Sequence, residues 1–562
     1  MTRPASRIPM VRWDMRMVAL AAVVWGFSWM AHGLMSLIRS TSMVDTDEWS
    51  MIAPATVILF CVVTGLCVMA MTYGRPRAAS TVMLVLCVAL VSVVSTATQA
   101  LDRWRSSDLL LSTGASRLTT VTMTFSGIVK TSSVRDADCR VDVVVRAIAS
   151  ENGGNGASLP AVAFASDPIC SRIVGGSTVE VDVTAVESPV GGEKPWLTIS
   201  EGAVMTFVRG PSWLVRWRDS LHDDFFGVCR NLSDQGKVLV PGLTLGLLGS
   251  ERYSSDDDFA VDSQYADYLG EGFSQVGIMH LMAVSGGHFM LVAAAVRRLC
   301  RMFRVPQWCR GLLTALSCAG LAAVMAPSDS VARALIMGVW SSGWMVLGRP
   351  SRSLVALSWT AIVVVVVDPS LSRSYGFSLS CAAVLGIVLL ADGWKERMEP
   401  FLGGVVSSAL SMTMAAQIAT LPIQVMMEPV IPLVSPVSNL LVAPVVGVAT
   451  VAGLSAFACA SILPGLAGWL AVIASWGTAV MERTAMLMTE VPYSTIPWIA
   501  APWGALVIVG VYVVAGVALR SYRVLRRRRR ERRGYGRGFH RTPASRVAWW
   551  VRETVDVVRG WW

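Results

Sequence analysis

The stretch GIMHLMAVSGGHFMLV, residues 277 to 292, sets His280, Ser285, Gly286, Gly287 and His288 inside an otherwise apolar run. Imidazoles move protons and ligate metals, and a serine near an imidazole can be made a nucleophile. Metal chemistry finds few ligands: there are five histidines (His32, His222, His280, His288, His540), no HExxH and no Cys/His cluster at zinc spacing. Hydrolysis fares little better. AVSGG departs from a GxSG-like turn at Ala283, and beyond His288 only His540 remains to approach the serine from elsewhere in the chain. Adjacent glycines weaken a helix, and broken helices at membrane depth occur where backbone lines a cavity. The stretch therefore predicts an interrupted membrane helix beside a polar cavity.

The elements that must position these groups follow from composition. The 562 residues are 54% hydrophobic and 15% charged, with mean hydropathy +0.55, far from the mix of a soluble domain. The formal net charge of +10 is concentrated between Arg520 and Arg541, where eleven arginines face Glu531 alone. The basic balance thus belongs to one tail rather than to a nucleic-acid surface. None of the four lysines, Lys130, Lys194, Lys237 and Lys395, completes a GxxxxGK[ST] loop, so no ATPase is expected. No nuclease motif is found either, and the chain is read as a non-enzyme without cofactor or metal.

Apolar runs near the roughly 20 residues needed to cross a bilayer fall at 18–38, 51–73, 80–100, 277–296, 311–326, 330–348, 353–367, 375–391, 402–427, 436–463, 465–488 and 498–519. The expected fold is a polytopic α-helical membrane protein of about 12 spans. If these alternate, the arginine and lysine clusters, from Arg3 through Arg297 and Arg349 to the Arg520 tail, all lie on the cytoplasmic side with both termini. The same alternation puts residues 101 to 276 outside.

Within that segment, TTVTMTFSGIVK, CRVDVVVRAIA, AVAFA, STVEVDVTAV and WLTIS are short β-branched runs between polar clusters. Val179, Val181 and Val183 alternate with Glu180, Asp182 and Thr184. A small extracytoplasmic all-β domain is expected, of OB-like type. An exported location makes Cys139 and Cys170 candidates for a disulfide closing a loop of about 30 residues, contributing roughly 3–4 kcal/mol in chain-entropy terms; two unpaired thiols are the alternative. The division is 1–105, N-terminal membrane segments; 106–210, the OB-like domain; 211–276, a connector whose VLVPGLTLGLLG reads as re-entrant or interfacial; 277–520, the main membrane domain; and 521–562, a basic tail. RVAWWVRETVDVVRGWW in that tail has the spacing of an amphipathic helix lying on anionic lipid.

Other polar residues interrupt the apolar half. Asp329 and Arg333 lie one helical turn apart, the spacing of an ion pair. Gly376, Ser378, Ser380 and Gly386 place small residues along one helix, as close helix packing requires. Gln417, Pro422, Ser435, Pro436, Asn439 and Pro444 add kinks and uncharged hydrogen-bonding groups. Together they describe a path with little fixed charge.

FSQVGIMHLMAVSGGHFMLV, SVARALIMG, GFSLSCAAVLGI, QIATLPIQV and SPVSNLLVAPVVG stand in the order of the motifs in the competence region of the ComEC family of DNA-uptake channels, which residues 238 to 520 resemble. Family members carry one DNA strand across the cytoplasmic membrane in natural transformation. The resemblance marks His280, Ser285, Gly286, His288, Arg333, Gly376, Phe377, Ser380, Gln417, Pro422 and Asn439 as functional positions, without assigning their roles. It implies single-stranded DNA as substrate, an extracytoplasmic DNA receptor, a cytosolic helicase-like ATPase, and room for a homo-oligomer. Many relatives end in a metallo-β-lactamase-like domain; none is expected here, so a separate nuclease is implied. Gly287 replaces the usual bulky apolar residue of the motif.

Two observations pull away from DNA. Residues 106 to 209 hold 8 basic and 11 acidic residues, which weakens phosphate attraction. Phe125, Phe164, Trp196 or Phe207 would be needed to stack bases, yet aromatics in such a domain more often fill its core. A secondary transporter for a small polar solute is the alternative, since broken helices suit it, although no convincing internal repeat is found. An intramembrane hydrolase is weaker still.

Overall fold

The structure, a computed structural model, describes residues 16–41 and 76–535 apart from short stretches at 115–117, 133, 135–136, 149–154, 187–193, 201 and 254–261. The expected span 51–73 and the amphipathic segment at 547–562 lie outside the described residues.

Two N-terminal helices, α1 (Arg16–Thr41) and α2 (Pro76–Gly114), lead into seven strands: β1 (Thr119–Phe125), β2 (Lys130–Thr131), β3 (Cys139–Ile148), β4 (Asn155–Ala165), β5 (Thr178–Val186), β6 (Trp196–Ile199) and β7 (Thr206–Arg209). Five of them run β1-β3-β4-β6-β5, and β5 pairs back onto β1, so the sheet closes into a small barrel. Closure removes the sheet edges that an open sheet of this size would expose. The alternation expected for β5 is present: Val179, Val181 and Val183 are buried while Glu180 and Asp182 are exposed. A disulfide joins Cys139 to Cys170. Residues 106 to 114 are not the start of the β domain but the end of α2, whose Leu110 is buried in the barrel core.

Three further helices follow, α3 (Trp213–Cys229), α4 (Asp234–Leu245) and α5 (Ser263–Gln275). All of α4 from Val238 to Leu245 is buried, packed against α12 (Ser435–Cys459) and α13 (Pro464–Thr489). VLVPGLTLGLLG is therefore apolar because protein surrounds it. A 12-residue apolar run cannot by its period separate that environment from lipid.

The remaining helices are α6 (Gly286–Met302), α7 (Gln307–Val324), α8 (Asp329–Val346), α9 (Ser353–Val367), α10 (Tyr375–Gly386), α11 (Asp392–Met427) and α14 (Trp503–Tyr535). Among the described residues six segments are long and apolar enough to cross a membrane: Met17–Ser36, Met279–Met302, Tyr375–Met427, Ser435–Cys459, Pro464–Thr489 and Trp503–Tyr522. The chain is a multi-pass membrane protein, and the described residues do not confirm the expected count of about twelve. Two of the expected spans fall in Tyr375–Met427, which a π-turn at Ile387–Ala391 joins and the positive φ of Gly403 breaks. The helices α7, α8 and α9, of 18, 18 and 15 residues, are each no longer than about 27 Å against a hydrocarbon core of about 30 Å.

Helix α13 shows how such a bundle is held. Ala467, Ala471, Ala474, Met481 and Ala485 are buried, whereas Trp469 is 74% and Trp476 70% exposed. Small side chains face the protein and large ones face outward, the order expected where lipid is the solvent. A Cβ at Gly477 would lie 2.6 Å from that of Ala449 on α12, so the two backbones approach as closely as they can.

Buried histidine also joins elements. His222 on α3 is 4% exposed, and its Nε2 lies 2.7 Å from the Val324 carbonyl at the end of α7. Burial pulls its pKa below 6.5, partly opposed by that hydrogen bond.

Two outcomes follow. Gly477→Val should lower unfolding stability in detergent by about 1–3 kcal/mol, while Trp476→Val on the outer face should change it little. A folded pKa below the unfolded one means that the stability carried by neutral His222 is present above about pH 6.5 and is lost as pH falls through the folded value. His222→Gln, which keeps a donor, should make the melting temperature less dependent on pH between about 7.5 and 5; an unchanged slope would refute the assignment.

Candidate functional site

The polar motifs meet at one break in the bundle. After α5 the chain turns at Gly277 (φ +70), makes a single 3-10 turn over Met279–Leu281 and re-enters helix at α6. Ser285 caps α6: its hydroxyl accepts from the Gly287 N–H at 3.3 Å, and the His288 Nδ1 accepts from the Ser285 N–H at 3.3 Å. This is a capping box with histidine in the place usually held by Glu or Gln. Because Nδ1 accepts, Nε2 carries the proton, and it donates to the Leu243 carbonyl at 2.8 Å.

Leu243 lies in the last turn of α4, which ends at left-handed Gly246. Carbonyls of a last turn have no partner within their own helix, and a buried one must find a partner elsewhere. His288 satisfies one, and the Ala326 N–H satisfies that of Leu245 at 3.0 Å. The imidazole thus ties the start of one helix to the end of another. Ser285 directs its hydroxyl to backbone, and no described imidazole bonds to it, so the geometry of a serine–histidine nucleophile is absent.

On one side of the break lies a cluster at Gly277. Its carbonyl receives Asn439 Nδ2 at 3.4 Å and the Ser435 hydroxyl at 3.5 Å. A Cβ at Gly277 would sit 2.7 Å from Ser435 Oγ, so glycine is required for both its φ and its space. Gln417 Nε2 donates to the Pro432 carbonyl at 3.0 Å, in β8 (Val430–Pro432), which pairs with β9 (Thr495–Pro497) over the same end of the bundle. His280 itself is exposed.

On the other side, Arg333 of α8 is 5% exposed and donates through Nε to Ser380 Oγ at 2.5 Å. The ion pair suggested by the Asp329–Arg333 spacing does not form. Asp329 instead accepts from the Ser374 hydroxyl, and a Cβ on Gly376 would lie 3.1 Å from the same carboxylate oxygen. Ser374 can reach Asp329 because it caps α10 beside the start of α8.

Two of the marked positions lie apart. Phe377 is fully buried, with its ring 5.1 Å from that of Trp25, and fastens α10 to α1. Pro422 has no N–H for the Ile418 carbonyl one turn earlier, and Tyr512 of α14 supplies the missing donor at 2.8 Å. The sequence reading did not single out Gly277, Ser374 or the Leu243 carbonyl.

A second candidate surface lies on the barrel. Arg146, Arg209 and Arg216 line a groove of about 730 Å³ together with Thr124, Thr178 and Trp213. Trp213 is 68% exposed, and none of the three arginines forms an ion pair with a described residue. Phe125 and Phe164 are in the core and Trp196 packs on Phe164 at 5.0 Å, leaving Phe207, 53% exposed, as the outward aromatic of the four considered. The net acidity of residues 106 to 209 hid this local basic site. VRGPSWLVRW, with two arginines and two tryptophans in ten residues, carries its signal.

His288→Ala leaves the Leu243 carbonyl and the Ser285 N–H without partners. It should lower stability by roughly 2–4 kcal/mol, measured by thermal unfolding of the purified protein. His280→Ala, at an exposed position, should melt as the wild type does; equal melting of both variants would contradict the bridging role.

No curated protein and no solved structure matches the chain. Residues 259–523 match the family model described as Competence protein and hold the break and both of its clusters apart from the Leu243 carbonyl. That family implies a role in DNA uptake during competence, and residues 259–523 are a competence-family domain of the ComEC type.

Proposed function

We propose that the chain is the channel component that passes one DNA strand across the cytoplasmic membrane during natural transformation. The observation that carries this reading is the meeting of the competence motifs around one helix break, from which His280 is exposed. The lining there is mainly hydroxyl, amide and backbone carbonyl. Such groups can replace the water around a strand without holding its phosphates fast, as conduction requires.

The barrel is read as an OB-type domain on the outer side. Its strand order, the single parallel pairing of β4 with β6 and the closing β1–β5 pair support that reading. The arginine groove with Trp213 would receive the strand by phosphate contact and base stacking. Lys130 pairs with Glu251 at 2.9 Å, and the Tyr253 N–H bonds to the Val129 carbonyl at 3.1 Å, so the barrel is tied to the segment that follows α4. Energy would come from a cytosolic helicase-like ATPase, substrate from an outside DNA receptor, and strand removal from a separate nuclease. The arginine run that continues α14 toward Tyr535 suits a cytoplasmic end near anionic lipid.

In a competent strain, deletion should abolish internalisation of labelled DNA while leaving binding at the cell surface. Restoring the gene with Arg146, Arg209 and Arg216 all changed to Glu should leave the protein in the membrane but cut internalisation by about tenfold or more. Normal internalisation after deletion would overturn the assignment, and normal internalisation by the triple variant would remove the groove from the path.

A further inference from the structure

Arg333 is a buried cation without a counter-charge. Nε donates to Ser380 Oγ at 2.5 Å and Nη1 reaches Met337 Sδ at 3.5 Å, both uncharged partners. Asp329, on the same helix, is taken by Ser374, and no described carboxylate pairs with the guanidinium. A charged side chain within a membrane domain is costly unless something of opposite sign meets it.

What lies next to this guanidinium is also positive. Its Nη2 and Nη1 are 3.5 and 3.8 Å from where a Cβ of Gly286 would stand, and Gly286 is the first residue of the 17-residue helix α6. The N-terminus of a helix carries partial positive charge and N–H groups without internal partners. Here the Gly287 N–H is taken by Ser285 Oγ and the His288 N–H by the Ser285 carbonyl, whereas the Gly286 N–H has no acceptor among the described residues. Two positive features thus converge with no anion between them, and a Cβ on Gly286 would already touch the guanidinium.

We propose that Arg333 and the Gly286 N–H form a phosphodiester-binding site at the helix break, where successive backbone phosphates of the strand are neutralised in turn. This rests on the DNA-translocation reading and adds to it the group that the strand touches. Ser380 fixes the guanidinium through Nε, so that Nη2, the nitrogen nearest Gly286, points toward the helix end. A single guanidinium with one helix terminus neutralises about one phosphate, enough to favour entry without trapping the strand.

The test uses the full-length protein in neutral-lipid nanodiscs, with a fluorescent single-stranded oligonucleotide and its uncharged methylphosphonate analogue, read by anisotropy across a salt series. The wild type should bind the phosphodiester strand and prefer it to the analogue. Arg333→Gln, which can still donate to Ser380, should weaken phosphodiester binding about tenfold and reduce the salt slope by about 0.7, with binding of the analogue unchanged. Without DNA it should melt no lower than the wild type, because it removes an unbalanced charge; a purely structural arginine would melt lower. If Arg333→Gln does not fold, Gly286→Val keeps the guanidinium and fills the space, and should weaken the same binding several-fold. Wild-type affinity and slope in a folded variant would overturn the site and leave the channel reading standing. Failure of the wild type to bind any phosphodiester strand would overturn both.

Discussion

A buried helix end must have its carbonyls satisfied, and in a membrane domain water is not there to do it. The short helix α4 ends inside the bundle, and its last-turn carbonyls are met by the His288 imidazole and the Ala326 N–H. His288 can reach Leu243 only because α6 begins where it does, and α6 begins there because Ser285 and the same imidazole cap it. One side chain therefore sets the position of the break, and the break brings Gly286 beside Arg333 and places Gly277 against Ser435 and Asn439. The polar residues of the 277–292 stretch divide into two kinds: His288 and Ser285 hold backbone, and His280 is left exposed.

The same economy recurs. His222 meets the Val324 carbonyl at the end of α7, and Tyr512 meets the Ile418 carbonyl that Pro422 leaves without a donor. These three interruptions are each met by a side chain from a neighbouring helix, so the carbonyls they expose do not go unpaired. Small residues make these reaches short. Gly477 against Ala449 brings α13 onto α12, and the large side chains that a soluble protein would bury, Trp469 and Trp476 among them, turn outward.

The β-branched alternation of residues 178 to 186 was legible in the sequence, as was the position of every barrel strand except β2 and β7, because a half-buried strand writes its period into its residues. Gly286 and Gly287 suggested an interruption, and in the structure they are the first two residues of α6, with the turn just before them at Gly277 and Met279–Leu281. The span count was not legible. Composition over 18 residues marks α7 and α8 as apolar but says nothing of whether lipid or protein surrounds them, and the run at 238–249, re-entrant or interfacial by its length, is buried in protein. Spacing suggested an Asp329–Arg333 pair, yet the partners of both come from α10, forty or more residues away. The arginine groove escaped for a different reason: a charge total over a hundred residues averages out three guanidinium groups that the fold gathers at one end of a barrel.

These arrangements describe a strand path that enters at a basic groove and crosses the bundle at the break between α5 and α6. The most direct measurement is site-specific photocrosslinking with a photoreactive amino acid at position 280, and at the outward-facing position 476 as control, while labelled DNA is arrested in transit through competent cells. A path through the break predicts that the labelled strand crosslinks from 280 and not from 476. Uptake that proceeds with no crosslink from 280, or with equal crosslinking from 476, would contradict it.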